Sequence, residues 1–421
     1  MALRNIAALA LAAQAAAAFA WTRVEGGSDA LAEAVAGAGD DEIELVVTDR
    51  KPDLAKVARA AEGKRLRLDL SACSRLTDVP ARAFRGNEGL ESVVLPEGLL
   101  RIGAGAFDGS GLRAAALPST VEEIGDFAFY RTPLESVTIP RATEKVGVGA
   151  FGACRQLPAI EVEEGNQSYA SVDRTLMSRD EQRLIQYPAG RKGAFSVPES
   201  VTEIGAGAFE GAEKLTAVVL PPDLLTIGGF AFGGCTSLDE LTIPDAVTRI
   251  GQDALGGTSV RRVFVPESVR SLGEKPFEGA LSLESVTVDG GNEGYRSEGG
   301  VLFTSDGTLV RYPPARGGSE YAAPKGTKAV AAFAFADAGS LESVTLPEGT
   351  ERVGKYAFRN CSSLAKAGIP KSTTEIGREA FWGTEVKRTG PLPSWYRSRR
   401  GGAAPRKAKQ KTKPANAADA K

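Results

Sequence analysis

Proline recurs along this chain with a regularity that leaves few folds open. Pro96, Pro118 and Pro140 are 22 residues apart, Pro198, Pro221, Pro244 and Pro266 are 23, 23 and 22 apart, and Pro324, Pro347 and Pro370 are 23 apart. Two longer gaps, Pro140 to Pro198 and Pro266 to Pro324, are both 58 residues. An Ala-Phe pair keeps the same beat, ending at Phe84, Phe107, Phe129, Phe151, Phe209, Phe232, Phe335, Phe358 and Phe381, with Leu255 and Phe277 in the same slot. Two interlocked rulers of this period mean a stacked repeat architecture, in which each unit buries its apolar edge only against its neighbours.

The unit is well shown by Leu341–Phe358, LESVTLPEGTERVGKYAF. In the equivalent Leu134–Pro140, Val137 and Ile139 alternate with Ser136 and Thr138, the pattern of a short half-buried strand that the proline ends. Isolated apolar residues such as Val121 and Ile124 then point inward from an extended return. The glycine after the isoleucine (Gly103, Gly125, Gly205, Gly228, Gly251, Gly377) suits either an unusual φ or a close approach of backbone. The Ala-Phe that follows is predicted on one helical turn, with its ring between coils. Each buried Leu, Val, Ile or Phe contributes roughly 1.5–3 kcal/mol, so stability accumulates along the stack.

These residues resemble the BspA-type leucine-rich repeats, with the pattern L-x-x-V-x-[IL]-P-x-x-[VL]-x-x-I-G-x-x-A-F-x-G-C from about Leu66 to Gly383. The long gaps fit the same family. Leu157–Pro188 and Leu283–Pro313 align at Gly165-Asn166 with Gly291-Asn292, at Tyr169 with Tyr295, at Ser171 with Ser297, and at Tyr187-Pro188 with Tyr312-Pro313. They resemble the family's coil extended by a β-hairpin. Arg174 stands where the second copy has Gly300, so distortion of the first hairpin is expected. The fold class implied is a repeat solenoid, mostly β with short helical turns (an α/β leucine-rich repeat), a right-handed stack of 22–23-residue coils with two longer hairpin coils. The family resemblance implies a non-catalytic module linked to adhesion, secreted or at the cell surface.

The ends depart from the repeat. Residues 1–20 combine Arg4, an apolar run and Ala18-Phe-Ala20, the layout of a signal peptide. Residues 21–65 read as an N-terminal cap, residues 66–390 as the solenoid, and residues 391–421 as a basic disordered tail. Between Tyr396 and Lys421 nine Lys or Arg face one Asp, a charge of +8; the rest of the chain therefore carries −10 to give the overall −2. Arg397, Arg399, Arg400, Arg406, Lys407, Lys409, Lys411 and Lys413 could meet a polyanion. After the leader no run of 18 apolar residues occurs, so no membrane span is expected in the mature chain.

Chemistry is harder to place. The chain has no histidine, which removes the usual general base and the commonest metal ligand. The four cysteines are dispersed. Cys154, Cys235 and Cys361 each lie three residues past the Phe slot, on one rail but in coils that are not neighbours, and Cys73 is far from all three. Free, buried thiols are predicted, because a disulfide needs Cα atoms within about 7 Å. The sequons Asn166-Gln-Ser168 and Asn360-Cys-Ser362 fit a secreted chain. Outward positions of the strands form two rails of mostly small residues; the exceptions are Arg262 and Phe264, a large pair of the kind enriched in binding hot spots. The reading is therefore a monomeric, non-catalytic scaffold without cofactor or metal, for a protein or glycan partner. The alternative is a cytoplasmic scaffold whose tail contacts a polyanion such as nucleic acid or an anionic surface.

Overall fold

The structure is a computed structural model that describes residues 22–386, apart from residues 28, 30–32, 34, 36–41 and 61. The chain divides into two compact units, Met1–Asp306 with Val310–Arg316, and Gly307–Leu309 with Gly317–Lys421. Both are β-solenoids of the repeating coil, with very little helix; Leu54–Ala60 is one α-helix that precedes the regular coils.

Each coil contributes to three rows. The first row holds the alternating strands. In the first unit Thr22–Gly26, Glu42–Val47, Arg65–Asp69, Leu90–Val94 and Ala114–Ala116 pair in parallel as one sheet. Strand Val137–Ile139 shows why they form: Val137 and Ile139 are buried while Thr138 is exposed. In the second unit Glu320–Ala322, Ser343–Thr345 and Lys366–Gly368 repeat the arrangement. The proline then accepts, through its carbonyl, a bond from the residue three on, as in Val121 to Pro118 (3.1 Å) and Thr350 to Pro347 (3.2 Å). The proline ruler therefore marks a turn repeated in nearly every coil.

The second row is a ladder of two-residue strands, Asp78–Val79, Arg101–Ile102, Glu123–Ile124 and Lys145–Val146, whose apolar members face the core. The glycine that follows is required by crowding. A Cβ on Gly125 would stand 2.6 Å from the Ala104 nitrogen, and one on Gly147 2.3 Å from the Asp126 nitrogen. Of the two roles expected for this glycine, close backbone approach is the one the fold uses.

The third row differs from the expected helical turn. It is a run of hydrogen-bonded turns, for example Ala106 to Gly103 and Asp108 to Gly105, both 3.1 Å. Two residues per coil are left-handed at fixed places, and the first of them, two before the phenylalanine slot, is Arg82, Gly105, Phe127, Gly149, Gly207, Phe230, Asp253 and Lys275 in the first unit, and Phe333, Tyr356 and Glu379 in the second. A continuous helical turn cannot contain such a residue. The phenylalanines do fill the space between coils. Phe84, Phe107, Phe129 and Phe151 stack nearly parallel at centroid spacings of 5.5, 5.2 and 5.4 Å. Phe335, Phe358 and Phe381 do so at 4.7 and 5.0 Å. In the first long coil Tyr187 takes the phenylalanine place, 5.0 Å from Phe209. The inward slot after the proline admits threonine where its hydroxyl reaches the preceding coil, as Thr350 Oγ1 donates to the Thr327 carbonyl at 2.8 Å.

Both long coils form the hairpins expected. Tyr169–Val172 pairs antiparallel with Thr175–Ser178, and Tyr295–Glu298 with Val301–Thr304, in the same register. The expected distortion at Arg174 is absent. Asp173 and Arg174 have φ of 45° and 62°, against 57° and 80° at Gly299 and Gly300, so the first hairpin makes the same turn without glycine. The Asn of each coil is a buried bracket: Asn166 Nδ2 donates to the Pro140 and Thr143 carbonyls, and Asn292 Nδ2 to those of Pro266 and Val269. The sequon at Asn166 is thereby corrected, because a fully buried amide held by two carbonyls is not a glycan acceptor.

Candidate functional site

Three surfaces follow from the three rows. On the strand row, Arg262 and Phe264 are exposed and alternate with buried Val263 and Val265. Their strand pairs with Ser285–Val288, placing Arg262 opposite Ser285 and Phe264 opposite Thr287. On the other side the ladder is broken. Residues 239–243 are not strand, and Glu240 and Thr242 are exposed beside the pair. One coil further, Val219 is 62% exposed, next to the 48% of Phe264. Arg262 has no ion-pair or hydrogen-bond partner among the described residues, unlike Arg261, which faces Glu284 at 3.6 Å. Many of the other outward positions of the first unit, such as Ser92, Ala116, Ser136, Thr138 and Ala217, are small.

The ladder row pairs several of its own charges. Arg101 meets Asp78 at 2.5 Å, Lys145 meets Glu123 at 2.6 Å and Arg183 meets Glu203 at 3.1 Å. Opposite charges directly across a ladder stabilise it by up to about 1 kcal/mol, less where solvent screens them. Not every charge of that row is matched: exposed Arg249 lies between Thr226 and Ser271 and has no ion pair among the described residues.

The turn row carries a cluster that the sequence does not announce. Phe127 and Phe230 are 40% and 41% exposed, both left-handed at φ 56°. The first hairpin coil leaves this row, so the turn of Phe151 abuts that of Phe209: the Ala153 N–H donates to the Glu210 carbonyl at 2.8 Å. Tyr130 then reaches past Gly152 and its hydroxyl donates to Glu210 Oε1 at 2.7 Å. Burial pushes the Glu210 carboxyl up from its ordinary value, opposed by the Tyr130 bond and by Arg131. Burial together with the Glu210 bond pushes the Tyr130 phenol well above its usual range. Nearby, Asp108 takes both Arg85 (2.9 Å) and Arg131 (3.0 Å). Two signals were present in the sequence, the extra aromatic of Phe127-Ala-Phe129 and Phe230-Ala-Phe232, but the neighbourhood of Tyr130 and Glu210 depends on which coil skips the row.

The cysteines are structural. All four are free and buried. Cys154, Cys235 and Cys361 donate to the carbonyls of Phe129, Phe209 and Phe335 at 3.0, 3.2 and 3.0 Å, the same bond in three coils. Burial pushes the thiols of Cys154 and Cys235 up to about 11 and about 12, too high for reactivity at neutral pH. Among the described residues no group of three or more Cys, Asp or Glu is placed to hold a metal, and no helix is long and apolar enough to cross a membrane. Residues 1–20 and the tail positions Arg397, Arg399, Arg400, Arg406, Lys407, Lys409, Lys411 and Lys413 lie outside the described residues.

Comparison with known proteins agrees with this geometry. No curated protein matches the chain. Among solved structures, a leucine-rich cell surface protein from Faecalibacterium prausnitzii is 27% identical, with 62% of this chain and 68% of that one covered at a TM-score of 0.50. A leucine-rich repeat protein from Eubacterium ventriosum is 20% identical, with 85% and 91% covered at a TM-score of 0.51, and shares the fold. The BspA type leucine rich repeat region matches in six copies, over residues 77–172, 193–297 and 320–392. With more than half of its length matched, the chain belongs to the BspA-type leucine-rich repeat family.

Proposed function

We propose that this chain is a non-catalytic binding and adhesion scaffold whose protein or glycan partner docks on the strand face at Arg262 and Phe264. One observation carries this reading: an unpaired guanidinium and an exposed ring stand on one strand of a face whose outward positions are mostly small, next to a break in the ladder. Arginine and aromatic side chains supply most of the energy in many interfaces, and the small residues around them let a partner approach closely. Secretion or surface display fits the leader-like residues 1–20 and the surface location stated for the F. prausnitzii relative. The test is adhesion of protein-coated beads to arrays of immobilised matrix proteins and glycans. Arg262→Ala with Phe264→Ala should lower retention on the bound surface at least tenfold; retention equal to the parent on every surface ends the strand-face reading.

The nine Lys or Arg between Tyr396 and Lys421 favour a second reading, a scaffold held to a polyanion by its tail. Binding to heparin or nucleic acid that falls steeply between low and physiological salt, and vanishes without residues 396–421, would establish it.

A further inference from the structure

Where the turn row skips the first hairpin coil, groups from three turns converge over bare backbone. The Phe127 ring rests on Gly149, where a Cβ would stand 2.9 Å from its Cε1. The Tyr130 ring rests on Gly152, 3.1 Å from a Cβ placed there, and meets Phe127 edge to face at 5.4 Å. Glu210 enters from the far side. Its Oε1 is taken by the Tyr130 hydroxyl, while Oε2 lies 3.6 Å and 3.2 Å from the Cβ positions of Gly149 and Gly207. Among the described residues no donor reaches Oε2. The neighbouring guanidinium of Arg131 is committed to Asp108.

A half-buried carboxylate oxygen without a donor, beside an exposed aromatic ring, is complementary to an ammonium or guanidinium group. Such a cation gains a charge-assisted hydrogen bond from the oxygen and attraction from the ring. A neutral sugar hydroxyl would leave the carboxylate's charge unmatched. We propose that Phe127, Tyr130 and Glu210 form a pocket for a lysine or arginine side chain presented by a basic segment of a partner protein. The pocket lies on the turn row, apart from Arg262 and Phe264 on the strand row, and does not depend on them.

The experiment is a fluorescence-anisotropy titration of the full chain with a labelled decapeptide alternating lysine and glycine. Because the body of the chain is acidic, any lost carboxylate weakens such a peptide a little, so the reference is Glu199→Gln, an exposed site. Glu210→Gln, which keeps an acceptor for Tyr130, should weaken binding about tenfold more than Glu199→Gln, the scale of one charge-assisted bond. Phe127→Ala should weaken it about threefold, the scale of one exposed cation–π contact. Arg262→Ala with Phe264→Ala should leave it unchanged, and a glutamine-for-lysine peptide should not bind. Circular dichroism confirms that each variant is folded. The proposal is overturned if Glu210→Gln behaves as Glu199→Gln does, if Phe127→Ala binds as the parent does, or if the glutamine peptide binds as well.

Discussion

The two hairpin coils solve one problem with different residues. Each must leave the regular stack, reverse, and return without exposing the core. Each uses a buried asparagine as a bracket, with Oδ1 accepting the N–H three residues on, at Tyr169 (2.8 Å) and Tyr295 (2.9 Å). Each uses that tyrosine's hydroxyl to accept a backbone N–H from the ladder row, Val146 at 2.7 Å and Leu272 at 2.9 Å. Each pins the turn with an arginine on the carbonyl of its first central residue: Arg191 Nη1 on Asp173 at 2.6 Å, Arg316 Nε on Gly299 at 3.1 Å. They part at the turn itself, where one has Gly-Gly and the other Asp-Arg at similar φ. The shared bonds determine the shape, and the turn residues only set how much strain it holds.

The largest effect should come from the brackets. Asn166→Ala strips two buried carbonyls and two N–H groups of their partner and should cost roughly 3 kcal/mol, with Asn292→Ala close behind. Local stability is best read by amide hydrogen exchange across each hairpin, since a repeat array need not unfold as one unit. If Asn166→Ala leaves exchange at Tyr169–Ser178 unaltered, the bracket account is wrong. Next come the tyrosines. Tyr169→Phe and Tyr295→Phe each leave one ladder N–H without its acceptor and should cost about 1–2 kcal/mol. The opening should appear at Val146 and Leu272, one coil before the substitution, and a loss confined to the hairpin would refute the link between rows.

Much of this was legible in the residues. The proline and phenylalanine rulers gave the coil, because a turn that recurs in space must recur in sequence, and the cysteine register gave three identical buried thiols. The Gly-Asn alignment located both hairpins but not the work of the asparagine, since its partners lie in the preceding coil. Arg174 misled because glycine is the usual left-handed residue, whereas here tertiary bonds impose the conformation. The meeting of Tyr130 with Glu210, 80 residues apart, was beyond reach because it depends on the row from which the long coil withdraws.

The smallest expected effects test the turns, where the two coils differ. Arg174→Gly removes a left-handed penalty of about 1 kcal/mol but frees the unfolded chain, so a net gain of about 0.5 kcal/mol is expected. The reverse change should not be its mirror image. A Cβ on Gly300 would stand 3.0 Å from the Ser285 Cβ, so Gly300→Arg adds crowding to strain and should cost about 1–2 kcal/mol. What holds the Asp-Arg turn in place is Arg191, whose Nη2 also meets the Asp173 carboxylate at 2.9 Å while its guanidinium lies over the Tyr187 and Phe195 rings. With that clamp removed by Arg191→Ala, the strain at Asp173-Arg174 has less to oppose it. The benefit of Arg174→Gly should then grow, which a double-mutant cycle measures directly. An additive result would mean that the clamp and the strained turn are independent.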